Sequence, residues 1–148
     1  MQTLPYMLAA IVVGVLVSAQ PPLNAILGRA VGSPFGATAI SIAIAFSSIL
    51  LVVAFVGWGD ISRDTLRTVP WWVYLAGTVG AIFVAAGVVI APVTGALVFF
   101  VCIVAGQLLG SLLADHFGAF GLAERSISIG RVAGMALVLV GAFMVGRG

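Results

Sequence analysis

No lysine occurs in this chain, and its six arginines and four acids amount to only 7% of 148 residues. A water-soluble domain carries about a quarter charged residues, so this composition cannot coat a surface that faces water. The mean hydropathy of +1.32 places the chain in a membrane instead. A single cysteine, Cys102, excludes an intrachain disulfide; it lies inside an apolar run and reads as a packing residue. The formal charge of +2 comes from arginines scattered among connecting regions, which excludes the clustered basic surface that nucleic acid requires. No Asp or Glu occupies the middle of an apolar run, so the intramembrane carboxylate expected of proton-driven export of organic cations is missing. Also absent are a phosphate-binding glycine loop with its lysine, an HExxH pair and a Ser/His/Asp set. Neither an enzyme nor a cofactor or metal site is therefore expected.

What is present is apolar length. Five runs, Leu4–Leu27, Phe35–Val56, Trp71–Ile90, Val93–Leu113 and Ile127–Val145, each approach the roughly 20 helical residues that cross a 30 Å hydrocarbon core. A transmembrane barrel would need alternating segments of roughly ten residues, and these runs are continuous. The first run lacks a basic leader and outlasts a signal-peptide core, so it reads as a span rather than a cleaved signal. The expected fold is all-α integral membrane, with five transmembrane helices in one domain over residues 1–148. The connection at Ala91 and Pro92 is so brief that spans three and four are expected to form an antiparallel hairpin.

The longest polar connection, Gly57–Pro70, is bracketed by Trp58 on one side and Trp71 and Trp72 on the other. Indoles prefer the membrane interface, which places all three at one surface. Asp60, Arg63, Asp64 and Arg67 have the three- and four-residue spacing of paired charges on a short helix. Arginine counting gives four on the side of the N-terminus (Arg63, Arg67, Arg125 and Arg131) against two on the other (Arg29 and Arg147). That bias is too weak to fix one orientation. An odd span count with so little bias points to two oppositely oriented copies.

Polar side chains at membrane depth need a partner or a hydrated cavity. In the first span Gln20 and Asn24 are four apart and share a helix face, while Pro21 and Pro22 remove two backbone donors beside them. This combination suggests a broken helix that offers carbonyls and amides to a substrate. In the fourth span Gln107, Ser111 and Asp115 form a stripe about 12 Å long on one face, ending at the titratable pair Asp115 and His116. Either a proton-linked gate or a simple helix-terminal bond fits that pair. Small-xxx-small spacings at Gly106 and Gly110, and at Gly130 and Gly134, read as helix-packing faces.

Taken in order, Gln20 and Asn24, Pro70-Trp71-Trp72 with Gly77 and Gly80, Gly106-Gln107, Asp115-His116-Phe117-Gly118, and Arg131 with Gly134 resemble the YdcZ-type small membrane proteins of the drug/metabolite transporter (DMT) superfamily. The resemblance covers essentially the whole chain. It implies a five-helix unit equivalent to one half of an inverted-repeat DMT-like bundle, completed by an antiparallel dimer in the bacterial inner membrane. By the same resemblance Gln20, Asn24, Gln107 and Asp115 line or support a cavity, and Arg131 pairs near the Asp115 end. The expected function is alternating-access transport of a small polar or amphipathic metabolite by a dual-topology homodimer. The alternative is a non-transporting membrane subunit that docks on an unrelated partner and has one fixed orientation; a channel ranks third. Expected partners are thus a second copy, the lipid bilayer and a small-molecule substrate, with Gln20, Asn24, Gln107 and Ser111 as substrate-binding residues and Asp115, His116 and Arg131 as a gate or ion pair.

Overall fold

The computed structural model describes residues 4–147, and among them every regular element is helical. Helices α1 (Leu4–Ser18), α2 (Gln20–Val31), α3 (Pro34–Val56) and α4 (Arg63–Thr68) are followed by a 3-10 segment at Trp71–Leu75 and then α5 (Ala76–Thr94). After these come α6 (Ala96–His116), a 3-10 turn at Ala119–Gly121 and α7 (Ile129–Arg147). Five helical stretches are long and apolar enough to span: Leu4–Val31, Pro34–Val56, Trp71–Thr94, Ala96–His116 and Ile129–Arg147. Two boundaries lie four residues beyond those expected, and the others agree to within three. The first span continues to Val31 as two helices, and the third continues through Ala91 and Pro92 to Thr94, which leaves Gly95 alone as the connection. Pro92 lies inside α5 and cannot donate to the Val88 carbonyl four residues back, so the helix runs on to Thr94 with one backbone bond missing. Gly95 then has φ +81°, a conformation that suits glycine.

The chain divides between Val93 and Thr94 into two compact units. In the first unit, the break between α1 and α2 follows from the double proline. Pro21 and Pro22 occupy the first positions of α2, where a fixed φ suits the helix start and no N–H is needed. Neither can donate to the carbonyl four residues back, so Val17 and Ser18 lose their helical donors. Ala19 takes up the discontinuity, donating to the Leu16 carbonyl at 3.2 Å in a tightened turn. Helix α2 ends at Gly32, which is left-handed (φ +70°) and donates to the Gly28 carbonyl. Ser33 starts α3 one residue later, its hydroxyl accepting from the Gly36 N–H at 3.1 Å.

Small residues make the core of this unit. A Cβ on Gly28 would stand 3.4 Å from Val88 Cγ1 and 3.7 Å from the Ala37 Cβ, so α2 meets both α3 and α5 there. Ala25, Ala37, Val88 and Ala91 are buried around the same point. The interfacial connection is ordered by polar bonds: Thr65 donates its hydroxyl to Asp60, the Ser62 N–H donates to Asp60 Oδ1 at 2.9 Å, and Tyr74 donates its hydroxyl to the Leu66 carbonyl at 2.9 Å. Trp58, Trp71 and Trp72 stand exposed on either side of it, as an interfacial belt requires.

In the second unit α6 and α7 pack as an antiparallel hairpin, since Leu108, Ser111 and Asp115 face the same space as Val138, Gly134 and Arg131. The connection folds back over the end of α6. The Asp115 carbonyl accepts from the N–H of Arg125 at 2.8 Å and of Gly118 at 3.4 Å, which satisfies a carbonyl that a helix end leaves open. Gly118 is left-handed (φ +57°) and has no room for a Cβ, because Glu124 Cγ would stand 2.8 Å away. Phe120 is also left-handed (φ +60°), a conformation costing roughly 1–2 kcal/mol for a residue with a Cβ. No residue of α1 or α7 is buried.

Candidate functional site

Two constellations of polar side chains sit inside the spans, one in each unit. The first lies at the break between α1 and α2. Gln20 and Asn24, one turn apart, line a single cavity of about 350 Å³ with Val13, Leu16, Val17 and Leu23. Asn24 is 8% exposed and Gln20 half-buried, yet neither amide has a side-chain hydrogen bond among the described residues. No buried side-chain nitrogen or oxygen among those residues lacks a partner, so the Asn24 amide still opens into the cavity. Pro21 and Pro22 withhold two backbone donors beside these amides. The sequence therefore sets two amides, near mid-span, on an apolar wall. Such a surface binds uncharged or dipolar groups by hydrogen bonding.

The second constellation lies at the closed end of the α6–α7 hairpin. Arg131, in the first turn of α7, donates from its NH1 nitrogen to Asp115 Oδ2 at 3.2 Å, and both side chains are about one-third exposed. Two local features hold them in place. The Ser128 hydroxyl accepts from the Arg131 N–H at 3.3 Å, and the folded-back connection pins the Asp115 backbone. Beside the pair is a cavity of about 380 Å³ whose wall includes Ser111, Gly130 and Gly134. Its remaining lining is apolar: Leu108, Leu112, Met135 and Val138.

Other residues singled out in the sequence stand apart from this cavity. Gln107, one turn before Ser111, is exposed on α6 and does not line it. His116 is exposed, its ring edge-on to Phe117 at 4.9 Å between centroids. Within the hairpin a Cβ on Gly106, Gly110, Gly130 or Gly134 would meet no atom within 4 Å. Their small-residue faces thus make no close helix contact inside the unit, whereas in the first unit Gly28, four residues before the helix-ending Gly32, does make one. The apolar half of the second cavity also went unread in the sequence, because Met135 and Val138 are indistinguishable there from lipid-facing residues. Among the described residues no group of three or more His, Cys, Asp or Glu could hold a metal.

Comparison with known proteins shows the family. A family model described as "Putative inner membrane exporter, YdcZ" matches residues 5–144. Inner membrane protein YdcZ of Escherichia coli (strain K12) is 31% identical over 118 residues, which cover 73% of this chain and 76% of that protein. No solved structure matches.

Proposed function

Because the chain belongs to the YdcZ family of inner-membrane proteins, we propose that it transports a small polar or amphipathic molecule as an antiparallel homodimer of dual-topology copies. Five spanning helices put the two termini on opposite faces, so two copies inserted in opposite senses are related by a two-fold axis in the membrane plane. Such a pair can exchange conformations, and a cavity open to one side in the first state is then open to the other in the second. The pair would be a DMT-like bundle assembled from two halves.

One observation carries the transport reading: the first span is broken at Ala19, and Gln20 and Asn24 line a cavity at that break without side-chain partners. A subunit that only docks would use such amides in dry helix–helix bonds. The dimeric part of the proposal draws support from α1 and α7, which bury nothing, and from glycine faces left open on α6 and α7. Dual topology draws on the arginine distribution, four against two.

The test is topology. Single cysteines at each terminus, in a Cys102→Ala background, are labelled in intact cells and in inverted vesicles. Labelling of each terminus at about half from either side is the expected result. A single orientation for all copies would rule out a homomeric antiparallel pair and support the docking subunit.

A further inference from the structure

We propose that the α6–α7 cavity binds a zwitterion carrying an apolar tail, with the anionic group held by Arg131 and the cationic group by Asp115. Its biological meaning rests on the transport reading, but the chemistry is set by the cavity. The ion pair is made through one contact, from the Arg131 NH1 nitrogen to Asp115 Oδ2. A guanidinium has five N–H donors and a carboxylate about four acceptor sites, so most of the bonding capacity of both groups is unused. Ser111, one turn from Asp115 on the same face, makes no side-chain hydrogen bond among the described residues and adds a hydroxyl to the same wall.

Charge decides the class of ligand. An anion alone would draw Arg131 away and leave Asp115 unpaired beside an apolar wall; a cation alone would do the reverse to Arg131. Either costs free energy in a region of low polarity. A zwitterion leaves the site neutral and gives each charged group a second opposite charge. Shape decides the tail. The polar groups sit at one end of both helices, and Leu108, Met135 and Val138 extend the cavity into the span. Glycine at positions 130 and 134 keeps that volume clear. About 380 Å³ lies in the range of small-molecule sites, roughly 300–1,000 Å³. The same chemistry is offered by a free amphipathic zwitterion and by the headgroup of a zwitterionic lipid entering from the bilayer.

The experiment measures binding to the purified full chain by titration calorimetry, with three probes that share one apolar body: L-leucine, leucinamide (cation only) and 4-methylpentanoate (anion only). A second arm measures retention of phosphatidylethanolamine against phosphatidylglycerol, which lacks the ammonium, by native mass spectrometry from mixed nanodiscs. One zwitterion, leucine or phosphatidylethanolamine, is expected to exceed its single-charge counterparts by about ten-fold or more, the worth of one charge-assisted bond. Which arm shows the preference identifies the source. Arg131→Gln and Asp115→Asn should each erase it. The double variant carrying both changes removes the pair without leaving a lone charge, and should erase it too while folding normally. Gly134→Leu fills the cavity without touching the pair and should weaken all probes together. Equal affinity across all probes and lipids, or a preference that survives both charge variants, overturns the proposal. Because binding is read without a gradient, a protein that binds the zwitterion but does not move it defeats only the transport reading; a transporter indifferent to these charges defeats only the assignment of this cavity.

Discussion

Asp60 lies outside the spans, and its carboxylate accepts from the Thr65 hydroxyl and the Ser62 N–H, while the Ser62 hydroxyl donates to Thr65 Oγ1 at 2.9 Å. These bonds, that from Thr65 foremost, hold its carboxyl below the usual carboxylate range. A carboxyl whose folded-state value is depressed contributes stability above its ordinary value, and loses that contribution as pH falls through the folded one. Protection of the amides of residues 62–68 against hydrogen exchange, relative to the intrinsic rate at each pH, should therefore fall on acidification, and Asp60→Asn should flatten this dependence; protection unaltered by the substitution would remove Asp60 from the account. Asn24 is the other residue whose local chemistry makes a clear forecast. With its amide facing a cavity and bound to no side chain, Asn24→Leu keeps the volume and removes the hydrogen-bonding groups. Vesicle transport should fall by about ten-fold or more with dimer content unchanged on cross-linking, whereas loss of the dimer would make Asn24 structural.

At the scale of helices, Gly28 is where α2, α3 and α5 meet. A methyl there would make an ordinary contact with Val88 and Ala37, so Gly28→Ala should leave thermal stability nearly unchanged. Gly28→Ile overfills the junction and should cost roughly 1–3 kcal/mol, read as a lower unfolding midpoint in detergent. The contrast between Gly28 and the glycines at 106, 110, 130 and 134 shows how far the sequence could be read. Five spans were legible because twenty consecutive apolar residues leave few other solutions in lipid. The break in the first span was legible because two successive prolines cannot donate. Which glycines serve contacts was not legible: GxxxG spacing reports only that a face is small, and contact needs a second helix at the same depth, which Gly28 has and Gly106 and Gly110 lack within their unit. The end of the third span lies beyond the expected one because Pro92 looks like a terminator in a sequence, whereas in lipid a helix can run through a proline with one donor missing. Asp115 and Arg131 were visible as charges near span ends, but the cavity beside them is made of residues with no distinguishing chemistry.

At the scale of the whole molecule, the weak arginine asymmetry becomes a handle. Ala123→Arg with Ser126→Arg raises the count to six arginines against two and should drive every copy to one orientation; Arg63→Ala, Arg67→Ala and Arg125→Ala combined with Val31→Arg and Val93→Arg leave one against four and should drive the opposite one. Each variant alone is expected to lose transport, and co-expression of the two should restore it, whereas activity retained by either alone would refute the antiparallel pair. The spans also differ in length. The first has 28 residues and the last, α7, has 19, about 42 Å and 29 Å at the helical rise. A hydrocarbon core of about 30 Å thus uses all of α7, while the first span has length to spare. Since Arg131 is the third residue of α7, a thicker bilayer would draw it and Asp115 below the headgroups and a thinner one would rehydrate them. Membrane thickness, set by acyl chain length, thereby acts as a dial on how tightly that pair is closed.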